Sequence, residues 1–165
     1  MLDEHSPILD DANAGFICGG ISINTAACRP GGFPALARAV GCRVAPDRRA
    51  VTVLLGGTAA ADVIEGVRRS GAVAVVFSDP STNRTLQLKG YDALVLPPEP
   101  GDAALAARYR AAFSATLVPL GFTDAVVQAL LACPDDDLLT IRFSPTAAFS
   151  QTPGPQAGEP LVRGA

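Results

Sequence analysis

The sequence predicts an α+β or mainly β domain built on a curled antiparallel sheet with a few flanking helices. Three observations lead there. Six short stretches carry strand character, and only three carry helical spacing. No Gly-x-Gly-x-x-Gly joins a strand to a helix and no phosphate loop ends in Gly-Lys-Ser/Thr, which disfavours a parallel nucleotide-binding fold. The length, 165 residues, suits one domain, and 48% hydrophobic residues are enough for a real core. With no Trp and 5% aromatics, that core is built from Ala, Val, Leu and Ile.

Residues 1–14 are expected to be a flexible leader, residues 15–150 the domain, and residues 151–165 a Pro/Gly-rich tail. Within 16–24, Ile21 and Ile23 flank Ser22 in the alternation of a strand. Arg29-Pro30-Gly31-Gly32 is turn chemistry. A second strand is read over 37–45, although Ala and Gly are weak strand formers. Asp47-Arg48-Arg49 connects it to a third, where Val51, Val53 and Leu55 alternate. A helix follows over 58–70. Thr58 is placed to cap it, Asp62 and Glu65 lie towards its start, and Arg68 and Arg69 lie towards its end, as the helix dipole favours. Ala60, Val63, Ile64 and Val67 share one face, and Gly71 stands at the C-terminal stop. Gly56-Gly57-Thr58 faintly echoes an anion-binding turn, with a plain loop and cap the stronger reading.

Residues 72–77 are an unbroken apolar run, as in a strand buried on both faces. After the loop 78–83, residues 84–89 alternate: Leu86 and Leu88 point one way, Thr85, Gln87 and Lys89 the other. Gly90 allows a bend, and the strand continues over 92–96 until Pro97-Pro98 stops it. Asp102 is placed to cap a helix on which Leu105, Tyr109, Phe113 and Leu117 recur. Thr123 or Asp124 starts another, with Val126, Val127, Leu130 and Leu131 on its buried side. Asp135–Asp137 read as a solvated turn, and Leu139, Ile141 and Phe143 as the last strand.

The charge balance narrows the function classes. Net charge is −3, Lys89 is the only lysine, and the arginines are scattered, so the basic face of a nucleic-acid binder is missing. Cys18, Cys28, Cys42 and Cys133 form no CxxC pair, and His5 is the only histidine, which leaves a metal site without its ligands. The cysteines read as buried free thiols of a reducing cytosol, with Cys42 beside Arg43 the one open to a lowered pKa. The acidic start of the chain is not a signal peptide, and no apolar run reaches the roughly 18 residues of a membrane span. The reading is a cytoplasmic protein.

The stretch Ala72 to Gly90, AVAVVFSDPSTNRTLQLKG, resembles the central hairpin of the pyridoxamine 5′-phosphate oxidase family. There a similar strand leads through a short loop to an Arg-Gln pair and a second strand ending in Gly. Arg84 falls on the Arg, and Thr85 where the family places a Gln that touches the flavin. Upstream, Arg38-Ala39-Val40-Gly41-Cys42-Arg43 resembles the family's Arg-x-Val-x-x-Lys strand, with a cation kept at each end. The tail Phe149-Ser150-Gln151-Thr152-Pro153-Gly154-Pro155 is similar to the ending of uncharacterised bacterial members.

The resemblance implies an antiparallel split β-barrel that binds flavin mononucleotide (FMN), usually as a homodimer with the flavin at the interface. On that footing Arg38, Arg43 and Arg84 are candidates for the phosphate, and Val40 contributes backbone. Ser78, Thr85 and Gln87 are candidates for the ring or ribityl chain. Lys89 is either a ligand or an edge-strand charge that blocks aggregation. Haem and a deazaflavin are the alternative cofactors. Two departures matter. Ala59–Ala61 stand where the family has an Arg-Lys pair for the phosphate, and the substrate-binding Arg-x-His is missing, so vitamin B6 oxidation is not expected. Three readings follow: a flavin-dependent oxidoreductase of unknown substrate, a non-catalytic cofactor-binding or stress-related protein, and a cofactor-free dimeric scaffold. A flavin brings its own redox chemistry, so no catalytic residue is singled out.

Overall fold

The computed structural model describes residues 7–28 and 31–161. In chain order the elements are α1 (Asp11–Ile17), β1 (Ser22–Cys28), β2 (Pro34–Arg38), β3 (Gly41–Val44), β4 (Val51–Gly56), α2 (Ala61–Ser70), β5 (Val73–Ser78), β6 (Thr85–Gly90), β7 (Leu94–Leu96), α3 (Asp102–Leu117), α4 (Asp124–Leu130), β8 (Leu138–Phe143) and β9 (Ala147–Ser150). The strands make two antiparallel sheets, one ordered β2-β1-β5-β6-β9 and the other β3-β4-β8-β7. The mixed α and antiparallel β class expected from the sequence is what the chain adopts.

One segment passes directly between the sheets. The Ala39 N–H donates to Ile23 of β1, and the next N–H, on Val40, donates to Leu54 of β4. Small, buried residues at this crossing let the strand leave one sheet and join the other. A second corner lies at Gly90, where an added Cβ would stand 2.7 Å from the Phe143 ring and 3.0 Å from the Ser144 carbonyl. Only glycine allows β6 and the end of β8 to approach so closely.

The core fills the space between the sheets. Ile23, Val75, Phe77 and Leu88 come from one and Val51, Val53 and Ile141 from the other, all fully buried. β4 is buried at every position. Helix α2 lies on β1, so closely that a Cβ on Gly66 would stand 3.1 Å from that of Ala27.

Several expectations are corrected. The N-terminal part of 16–24 is helical: α1 is capped by the Asp10 carboxylate, which accepts from the Asn13 N–H. Part of the presumed leader therefore belongs to α1, and Leu9 just before it is fully buried; residues 1–6 lie outside the described residues. Thr58 does not cap α2. Its N–H and hydroxyl both donate to the Asp137 carboxylate, so the Gly-Gly-Thr turn does hold an anion, the protein's own. Asp102 is the first residue of α3, and its carboxylate accepts from the Glu99 N–H. β5 is not buried on both faces: Val73, Val75 and Phe77 face the core, while Ala74, Val76 and Ser78 are half-buried on the outside. On α4, Val127 and Leu131 are buried, but Val126 and Leu130 are 55% and 52% exposed. Strand β9 went unread in the sequence. The tail from Gln151 turns back over it, with Ser150 donating to Glu159 and Leu161 donating to Ala148.

Candidate functional site

Strand register brings the polar candidates together on the outer face of the five-stranded sheet. Arg38 lies opposite Asn24, Asn24 opposite Val76, Val76 opposite Gln87, and Gln87 opposite Phe149. The neighbouring row holds Ser22, Ser78 and Thr85. Period-two alternation puts all these side chains on one face. Side-chain bonds tie the rows together. Arg38 Nη1 donates to Ser22 Oγ at 2.9 Å, and the Ser78 and Thr85 hydroxyls share a hydrogen bond of 2.8 Å. Gln151 donates weakly to Gln87 Oε1 at 3.4 Å, and the Thr85 N–H donates to Thr152 Oγ1 at 2.9 Å. The start of the tail thus covers the Thr85–Gln87 end of the rows.

A cavity of about 410 Å³ opens over the Arg38 end. Its floor is Ser22, Asn24, Arg38, Ser78 and Pro80. Its wall is apolar: Phe113 and Leu117 from α3, Phe122 from the following loop, and Val126, Val127 and Leu130 from α4. This explains why Val126 and Leu130 stay half-exposed: they face a cavity and not the core. Among the described residues Arg38 is the only ionisable side chain lining it, so their contribution to the cavity is one positive charge with no carboxylate to neutralise it. The helical wall had no signal in the sequence beyond apolar residues that look like core positions.

The other candidates lie elsewhere. Val40 is buried, and its N–H is engaged by Leu54. Arg43 is committed to two carboxylates, with Nε 3.0 Å from Asp102 Oδ1 and Nη2 3.0 Å from Glu99 Oε2. Burial alone would lower the Arg43 pKa, but Asp102 and Glu99 outweigh it and raise the value. Arg84 donates to Asn13 Oδ1 at 2.9 Å and stacks 4.1 Å above the Phe16 ring, both on α1. Lys89 lies on the same outer face but further along, 5.2 Å from the Phe149 ring and beside a second cavity of about 270 Å³ with Tyr91 at its edge. Of the eight candidates, Arg38 and Ser78 line one cavity, and Thr85 and Gln87 extend its floor.

No protein-family model matches the chain, and no curated protein matches it. Solved structures do. HupZ of Group A Streptococcus is 13% identical over 91% of this chain and 99% of its own, with a TM-score of 0.55. An F420 reductase is 15% identical over 85% and 98%, with a TM-score of 0.53. A putative pyridoxamine 5′-phosphate oxidase from Lactobacillus delbrueckii is 13% identical over 90% and 99%, also at 0.53. The chain has the fold of these proteins. At such identities the likeness is one of backbone, and it runs nearly the whole length of each neighbour. Among the described residues no helix is long and apolar enough to cross a membrane.

Proposed function

We propose that this chain is a cofactor-binding protein of the split-barrel kind, holding a flavin or deazaflavin over the outer face of its five-stranded sheet. The observation that carries the reading is the cavity above Arg38. One guanidinium, the Ser22 and Ser78 hydroxyls and the Asn24 amide face an uncharged apolar wall. That donor set fits a planar ring with one anionic group. The wall takes the ring, Arg38 takes the anion, and the floor hydroxyls and amide take the ring edge or the polyol chain. The fold shared with a putative pyridoxamine 5′-phosphate oxidase and an F420 reductase supports both cofactor types.

When bound, the flavin or deazaflavin supplies hydride or electron transfer. The chain's part is to bind and orient it, and to keep water off one ring face with Phe113, Leu117 and Phe122. Among the described residues no carboxylate or histidine lines the cavity, and a hydride step needs none. The reaction class is therefore a cofactor-dependent oxidoreduction of unknown substrate, in the cytoplasm. We further propose a homodimer. The outer face of the sheet is half-buried and carries Val76, Ala74 and Phe149, and a second copy laid there would complete the site.

A non-catalytic carrier of flavin or haem is the second reading, and two features favour it. Ala59–Ala61 leave the start of α2 without a cation, and Asp62 in its first turn is acidic. Arg43 is already neutralised by Asp102 and Glu99. An FMN phosphate would then rest on Arg38 alone within one protomer. The test is the absorbance spectrum after incubation with excess FMN, or with F420, and desalting. Retained flavin bands support binding, and subsequent NAD(P)H oxidation distinguishes the enzyme from the carrier. A colourless protein with both cofactors overturns the proposal.

A further inference from the structure

The two serines of the cavity floor differ in what they offer a ligand. Ser22 and Ser78 stand directly opposite each other on β1 and β5, and both line the cavity. A serine hydroxyl has one proton to donate and two lone pairs that accept. Arg38 Nη1 lies 2.9 Å from Ser22 Oγ, and a guanidinium only donates, so Ser22 is the acceptor. Asn24 Nδ2 adds a second, weaker bond to the same oxygen at 3.4 Å. The lone pairs of Ser22 are thus engaged, and among the described residues nothing accepts its own proton. Ser78 is in the opposite state. Thr85 Oγ1 lies 3.1 Å from the Asn83 carbonyl, which can only accept, so the Thr85 proton is spent there. In the 2.8 Å bond between the two hydroxyls the donor is therefore Ser78. Towards the cavity Ser22 presents a proton, and Ser78 presents lone pairs.

We propose, on the footing of the cofactor site above, that this polarity makes the cavity selective for a phosphorylated cofactor: Ser22 joins Arg38 in holding the phosphate, and Ser78 accepts from a ligand hydroxyl or N–H. An ionised phosphate carries acceptor oxygens only. It is matched by a guanidinium and a hydroxyl proton side by side, and it is repelled by the lone pairs of Ser78. The Arg38–Ser22 bond also fixes where the guanidinium lies, and it uses one of five N–H donors, leaving the rest for the ligand. Residues opposed across two strands have Cβ atoms about 4.5–5.5 Å apart, so one ligand reaches both serines. A polyol hydroxyl can donate, which suits the chain next to the phosphate to Ser78. Arg38 attracts any anion, whereas Ser22 adds the directed donor that a ligand without the phosphate leaves unused.

Fluorescence titration of the full-length protein with FMN, and with riboflavin, which lacks the phosphate, reads the selectivity as a ratio of two affinities. The wild type should prefer FMN. Ser22→Ala should weaken FMN binding by about 10- to 100-fold, as for the loss of a hydrogen bond to a charged group, and leave riboflavin unchanged. Ser22→Thr keeps a hydroxyl and should keep the ratio. Ser78→Ala should weaken both ligands by the same factor. If Ser22→Ala fails to fold, Ser22→Cys, with its weaker S–H donor, takes its place. If the chain retains F420 and not FMN, the comparison is with the same deazaflavin lacking its phosphodiester chain. Equal affinity of the wild type for both ligands, an unchanged ratio in Ser22→Ala, or a ratio lost in Ser78→Ala would overturn the assignment and leave the cofactor site standing. A wild type that binds neither FMN nor F420 would overturn both.

Discussion

Gly20→Ala probes the contact that seats α3 on the sheet and so forms one wall of the cavity. A Cβ on Gly20 would stand 2.5 Å from the Ala112 carbonyl carbon, 2.6 Å from its oxygen and 2.8 Å from its Cβ. Two of these three atoms are backbone, so no side-chain rotation relieves the clash, and the helix must retreat by roughly 1 Å to reach ordinary contact. Two hydrogen bonds span that gap: Tyr109 Oη donates to the Ile21 carbonyl at 2.6 Å, and Thr116 Oγ1 to the Gly20 carbonyl at 2.7 Å. Stretching both, at about 1 kcal/mol each, and overpacking at about 1–3 kcal/mol give a loss of about 3–5 kcal/mol. For a chain of this length that lowers the melting temperature by roughly 6–20 °C. Urea unfolding followed by circular dichroism measures it. Gly15→Ala is the control, since a Cβ there meets nothing within 4 Å. Inside α1 it should gain about 0.5–1 kcal/mol. A loss below 1 kcal/mol for Gly20→Ala, or equal losses for both variants, would refute the steric argument.

Two other predictions concern charge. Arg43→Met should cost about 3 kcal/mol by denaturant unfolding, because it strands the Asp102 carboxylate in a site where its side chain is 4% exposed. Asp102→Asn should cost clearly less, since Arg43 is 32% exposed and keeps Glu99. In a Cys28→Ser/Cys133→Ser background, alkylation of Cys18 by iodoacetamide should rise as pH increases through about 7, because the thiolate is the nucleophile and its pKa is lowered. Cys42→Ala should move that midpoint upward, since the Cys42 hydrogen bond is the main cause of the lowering.

What the sequence disclosed depended on whether the signal was local. The alternation of Leu86 and Leu88 with Thr85, Gln87 and Lys89 marked β6 and its core face correctly, because one buried face imposes period two. Gly71 marked the end of α2 through its left-handed φ of 67°. Helix α1 was hidden because its stabilising contacts are distant: Arg48 pairs with Asp11, and Arg84 stacks on Phe16. β9 has only four residues and exists through its pairing with β6. For the candidate site, the face shared by Arg38, Ser78, Thr85 and Gln87 follows from alternation plus register, and alternation alone was readable. Nothing local distinguished Arg38, which borders a cavity, from Arg43, whose carboxylate partners lie more than fifty residues away.

The most direct test of the cofactor site is a fluorescence titration of FMN into the wild type, Arg38→Ala and Arg84→Ala. Loss of one charge-assisted contact of about 1.5–3 kcal/mol should weaken binding roughly 10- to 100-fold in Arg38→Ala. Arg84→Ala, whose guanidinium lies on α1, should bind like the wild type. Undiminished binding in Arg38→Ala, or a loss confined to Arg84→Ala, would contradict the placement of the site.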